Sequence, residues 1–113
     1  MPKQINDVDT LKEYINGVMA RAHHHANNVD EIAPAVAGSI VWRKDSDPIE
    51  VMAHGTDMKN VLWVKIGGKR YAFTYDHTTQ AIQIKDGSTQ GNLVGSVSNA
   101  TTLADLKKIF LAL

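Results

Sequence analysis

Apolar residues near the start of the chain recur at helical spacing. Leu11, Ile15, Val18, Ala22 and Ala26 are three or four positions apart, with Met19 at the margin, which predicts an amphipathic helix with one core-facing stripe. Thr10 and Glu13 have the spacing of a capping box, and Asp7 and Asp9 suit the positive end of the helix dipole. The helix is expected to fade at Asn27 and Asn28, both turn formers. Asn28 and Glu31 repeat the capping spacing, but Pro34 interrupts any extension and Gly38 adds a second break, so residues 29–38 read as a short helix or an irregular connector.

From Ser39 the period becomes two and the residues become β-branched and aromatic. Residues 39–44 therefore read as a strand, 45–48 as a turn and 49–54 as a returning strand. The next strands can be aligned against one another. Residues 61–66 run into Gly67-Gly68, a pair suited to the positive φ angles of a two-residue hairpin turn, and residues 69–76 return. That turn sets Ile66 opposite Lys69, Val64 opposite Tyr71 and Leu62 opposite Phe73. A four-residue loop at 77–80 then pairs Asp76 with Ala81, Tyr75 with Ile82 and Phe73 with Ile84. Both turns agree on one apolar face carrying Leu62, Val64, Ile66, Tyr71, Phe73, Tyr75, Ile82 and Ile84. Lys69 is its one polar member, at the turn end. The other face carries Trp63, Lys65, Arg70, Ala72, Thr74, Gln83 and Lys85. A slip of one residue would mix the two sets, so the separation supports the register.

Residues 86–92 form a loop and 93–97 a last strand. A second amphipathic helix comes next, capped by Thr101 or Thr102, with Asp105 in its first turn and a stripe of Leu103, Leu106, Ile109, Phe110 and Leu113. The expectation is one α+β domain over residues 1–113: an antiparallel meander sheet of five to six strands, with an N-terminal and a C-terminal helix packed on the Tyr71/Phe73 face.

Composition narrows the class. The 113 residues are 43% hydrophobic and 21% charged, and there is no cysteine, so no disulfide, zinc–thiolate site or thiol nucleophile exists. A chain of this length buries roughly two thirds of its unfolded surface and needs no staple. No apolar run approaches the ~20 residues of a membrane span, and residues 1–7 lack the apolar region of a signal peptide. A cytoplasmic protein with no membrane contact is expected. Twelve cations balance twelve anions, yet unevenly: nine acids face five bases through Asp57, and seven bases face three acids afterwards. Lys65, Arg70 and Lys85 fall together beside Trp63 on the non-core face, which suggests two opposed patches and association between like chains.

The candidate chemistry is sparse. His23, His24 and His25 are consecutive, so on a helix they point ~100° apart, and no histidine or carboxylate lies four positions from any of them. No metal and no cofactor is expected. His54 and His77, at strand ends near Asp57 and Asp76, are candidates for a pocket shared with Tyr71 and Tyr75, where a His oriented by a carboxylate acts as a general base. Gly67-Gly68 before Lys69-Arg70 is no phosphate-binding loop, because it joins two strands. No catalytic residue is assigned.

Trp63, with Lys65, Arg70, Thr74, Gln83 and Lys85, carries the most weight. Trp and Arg are enriched at protein interfaces. An aromatic among cations also fits single-stranded nucleic acid, although a single Trp and a neutral domain argue against that partner.

The layout of the whole chain resembles the small orphan α+β proteins encoded by mobile integron gene cassettes: a short chain, a helix at each end of a meander and no active-site signature. No motif carries the likeness, so no residue role transfers with it. The resemblance implies a bacterial origin, an adaptive role and frequent homo-oligomers. The leading expectation is a non-enzymatic interaction module that self-associates, most simply as a dimer, through exposed sheet surface, with another protein as a further possible partner. The alternatives are a small-molecule-binding protein or small enzyme with a pocket at His54, Tyr71, Tyr75 and His77, and binding of single-stranded nucleic acid or another anion on the Trp63 face.

Overall fold

A computed structural model describes residues 8–12, 15–17, 28–54, 57–76 and 78–113, with 52–54 and 57–60 described as backbone. Residues 8–12 and 15–17 are helical. They are followed by helix α1 (Ala33–Arg43), strands β1 (Glu50–His54), β2 (Asp57–Ile66), β3 (Lys69–Asp76), β4 (Ala81–Asp86) and β5 (Leu93–Val97), and helix α2 (Leu103–Ala112). The strands form one sheet in sequence order, each antiparallel to the next. The fold is α+β, as expected.

The register of the central strands agrees residue for residue with the alternation in the sequence. Leu62 pairs with Phe73, Val64 with Tyr71 and Ile66 with Lys69; Phe73 pairs with Ile84, Tyr75 with Ile82 and Asp76 with Ala81. The apolar set on this face joins Leu11, Ile15, Val36, Ile40, Leu106 and Phe110 in a single core, with the Phe73 and Phe110 rings stacked at 5.8 Å. Gly67 and Gly68, at φ +61° and +81°, make the hairpin turn that fixes this register.

The expected strand at residues 39–44 is a helix. Val29, Ile32, Ala33, Val36 and Ile40 are all buried and recur at helical spacing, so the helical period spans the stretch that the β-branched run Ile40-Val41-Trp42 had suggested was extended. Pro34 does not interrupt this helix because it lies in the first turn, where its missing N–H has no partner to lose. Burial of the helical stripe outweighs the weak preference of Val and Trp for strands. The sheet accordingly has five strands among the described residues.

Two further expectations are corrected. Residues 8–10 are already helical, so Thr10 lies within the first helix and is not its cap. Leu103, placed in the apolar stripe of the last helix, is 70% exposed at its first position, while Leu106 and Phe110 are buried and Ile109 and Leu113 pack on the core. Thr102 is the cap, its hydroxyl accepting from the Asp105 N–H at 3.1 Å.

Polar side chains fasten both ends of α1 to parts of the chain that are distant in sequence. Its N-cap residue, Ile32, makes no side-chain cap bond. Instead the Asn99 side-chain oxygen accepts from the N–H groups of Glu31 and Ile32 at 3.0 and 3.1 Å, while its amide donates to Asp30 at 2.9 Å. At the other end, the two carboxylate oxygens of Asp45 accept from Gly67 N–H at 3.1 Å and Gly68 N–H at 2.8 Å, and Asp45 N–H donates to the Lys65 carbonyl at 2.8 Å. Arg43 donates to the Phe110 and Leu113 carbonyls at the end of α2.

Each clamp satisfies two backbone donors at once, so truncating either removes two hydrogen bonds. Asn99→Ala and Asp45→Ala are expected to cost about 1–3 kcal/mol each in urea unfolding. The two clamps share no partner, so the double variant should be close to additive.

Candidate functional site

The apolar face of the sheet is covered by helices, so the other face carries what is left for contact. β2 and β3 place Trp63 across from Ala72, and Lys65 across from Arg70; β3 and β4 place Ala72 across from Lys85, and Thr74 across from Gln83. All six expected face residues therefore lie on one surface. β1 adds Glu50 directly across from Trp63.

An open cleft of about 630 Å³ occupies one end of this face, lined by Asp47, Pro48, Glu50, Trp63, Val64, Lys65 and Arg70. Its volume is in the range of small-ligand sites. The Arg70 guanidinium lies over the half-buried Trp63 indole, 5.1 Å from the ring centre, a cation–π contact. Arg70 also reaches Glu50 at 3.6 Å, and Lys65 reaches Asp47 at 3.8 Å. Both pairs are largely exposed, so each is worth about 0–1 kcal/mol. Their main consequence is electrostatic: the expected basic patch is interleaved with carboxylates. Lys85, farther along, donates to the Thr89 carbonyl at 2.9 Å and so ties down the 86–92 loop. Asp86, the last residue of β4, pairs with Lys69 at 3.7 Å.

Other candidates separate. Tyr71 and Tyr75 are each 4% exposed and belong to the core on the opposite face, away from this cleft. The His54 backbone lies in β1, while the His54 side chain and His77 fall outside the described residues and atoms. His23, His24 and His25 also lie outside the described residues, among which no group of three His, Cys, Asp or Glu is placed to hold a metal. A smaller apolar groove of about 230 Å³ lies between the first helical segment and α1, lined by Val8, Leu11, Ile15, Pro34 and Ala37 with Lys12 and Asn16.

A family model described as integron cassette protein VCH_CASS1 chain matches residues 11–107. The chain belongs to this integron cassette family. The matched span begins in the first helical segment and ends within α2, so it takes in the whole sheet and the Trp63 cleft of the cassette protein. No curated protein matches the chain. No helix among the described residues is long and apolar enough to cross a membrane.

Both carboxylates of the cleft, Glu50 and Asp47, were missed from the sequence. Glu50 was legible in principle, since alternation from Ile49 puts it on the non-core face, but it had no register until β1 was paired. Asp47 depends on the path of the connection after α1, which the strand reading misplaced. Trp42, also read into that strand, is 54% exposed on α1 with the Arg43 guanidinium 5.7 Å from its ring centre.

Arg70 is expected to shield Trp63. In a Trp42→Phe background, where Trp63 is the sole indole, Arg70→Ala should raise acrylamide quenching of its fluorescence, with a native far-UV spectrum retained. Quenching unchanged by the substitution would mean that the guanidinium does not cover the ring.

Proposed function

We propose that this cassette protein is a non-enzymatic interaction module that self-associates through exposed sheet surface. The sheet surface outside the core carries the reading: the described helices all pack on one side of the sheet, the other side carries both signs of charge around an aromatic, and the outer strand β5 leaves Leu93 and Val94 exposed. A polyanion is bound by a field of unpaired cations, and counterion release from them makes that binding strongly salt-dependent. Here Lys65 and Arg70 each have a carboxylate within 4 Å, and Lys85 is held by the Thr89 carbonyl. Interleaved charges suit a partner with the same mixture, and a second copy of the chain has that mixture by definition.

Small-molecule binding is favoured by one feature, the volume of the Trp63 cleft. If it occurs, it is expected there and not at Tyr71 and Tyr75, which are used in packing.

Size-exclusion chromatography with light scattering, run over a hundredfold range of concentration, tests the reading. The expected result is a mass that rises from the 12.4 kDa of one chain toward twice that value. A strict monomer at the highest concentration would refute self-association. Affinity for single-stranded oligonucleotides, falling steeply with salt, would move the assignment to nucleic acid.

A further inference from the structure

Self-association through the sheet could use either of its edges or its bare face. Resting on the reading of this chain as self-associating, we infer that the seat is the outer edge of β5, with two copies pairing β5 to β5 antiparallel across a twofold axis. An edge strand presents a row of backbone N–H and C=O groups with no ladder partner, and the group that satisfies such a row is another strand.

The two edges of this sheet are protected differently. β1 opens with Glu50, follows Pro48 and Asp47, and pairs with β2 through a register shift between Val51 and Ala53. Charge, proline and bulges are the usual guards against edge pairing. β5, Leu-Val-Gly-Ser-Val, has neither charge nor proline. Its own register shift lies at one end: Ile84 pairs with Gly95 and Lys85 with Leu93, so Val94 is the extra residue. The bulge does not hide apolar surface but leaves two neighbouring aliphatic side chains in water, Leu93 at 55% and Val94 at 44% exposure. From Gly95 to Val97 the strand is regular against β4.

Symmetry favours a second copy over an unrelated strand. A twofold axis sets a strand against its own residues, so any charge on it would face a like charge at close range, and β5 has none. Pairing about Gly95 brings Val94 of each copy against Ser96 of the other. An axis perpendicular to the sheet keeps α2 of both copies on the same side. Ile109 packs on that side at Gly95, where a Cβ would come within 3.1 Å of its methyl group, so the helical layer continues across the junction. The Trp63 cleft is built from β1 to β3 and the connection before them, and it stays open in this arrangement.

The test compares full-length variants by light scattering and circular dichroism. Val94→Lys places an exposed cation at the junction twice per dimer and is expected to raise the dissociation constant roughly tenfold or more, with the native spectrum kept. Trp63→Ala should weaken the dimer less than Val94→Lys does, and the reverse order would overturn the β5 seat. Because the chain has no cysteine, a spin label on Ser96→Cys reports on one site only. Dipolar broadening that disappears on dilution with unlabelled protein is the expected signature. A dimer that persists in Val94→Lys without broadening at position 96 overturns the β5 seat and leaves self-association standing. A monomeric parent chain overturns both.

Discussion

A sheet whose apolar side chains all lie on one face cannot remain bare on that face, and nearly every other feature of this molecule derives from covering it. The alternation through β2, β3 and β4 places Leu62, Val64, Ile66, Tyr71, Phe73, Tyr75, Ile82 and Ile84 in a single layer. Each such side chain gains about 1.5–3 kcal/mol on full burial, so the register is held by burial more than by the ladder itself. A shift of one residue would turn this layer into water. The helices are the cover: among the described residues Leu11 and Ile15 in the first segment, Ala33, Val36 and Ile40 in α1, and Leu106 and Phe110 in α2 are buried. The short stripes of α1 and α2 give little orientational control. That control is supplied by polar clamps, Asn99 and Asp45 at the two ends of α1 and Arg43 at the end of α2.

Where a structural rule is local, the sequence was readable. Gly67-Gly68 between two alternating runs determines a two-residue hairpin, and the hairpin determines every pairing between β2 and β3. The β3–β4 loop then had to preserve the same face, which is why an independent loop length gave a consistent answer. Reading failed where two local rules conflicted. Ile40-Val41-Trp42 has strand chemistry, Pro34 signals interruption, and both were outweighed by a helical period that extends back to Val29. The clamps were not legible at all: Asn99 lies 67 and 68 residues from its partners, and its role exists only because the chain returns to the start of α1 after β5. The chemical character of the Trp63 face was half legible. Alternation yields its cations, whereas one of its carboxylates comes from the connection after α1 and the other from a strand whose register was open.

The helix in place of a sixth strand also decides the electrostatics of the exposed face. Had residues 39–44 been a strand paired with 49–54, residues 45–48 would have been a hairpin turn at a sheet edge, with the acids of the first half of the chain held apart from the bases of the second. Instead α1 delivers Asp45 to the β2–β3 turn, and the chain passes from there along the sheet end into β1. Asp47 and Glu50 are thereby set beside Lys65 and Arg70, so that on this face two acids of the first half meet two bases of the second. The same path exposes β1 as one edge but leaves it next to proline and acid. Among the described residues, the remaining edge, at the other end of the meander, has no such connection beside it, since β5 leads through Asn99 into α2. The residue that fastens α1 thus sits just beyond the strand that is left open.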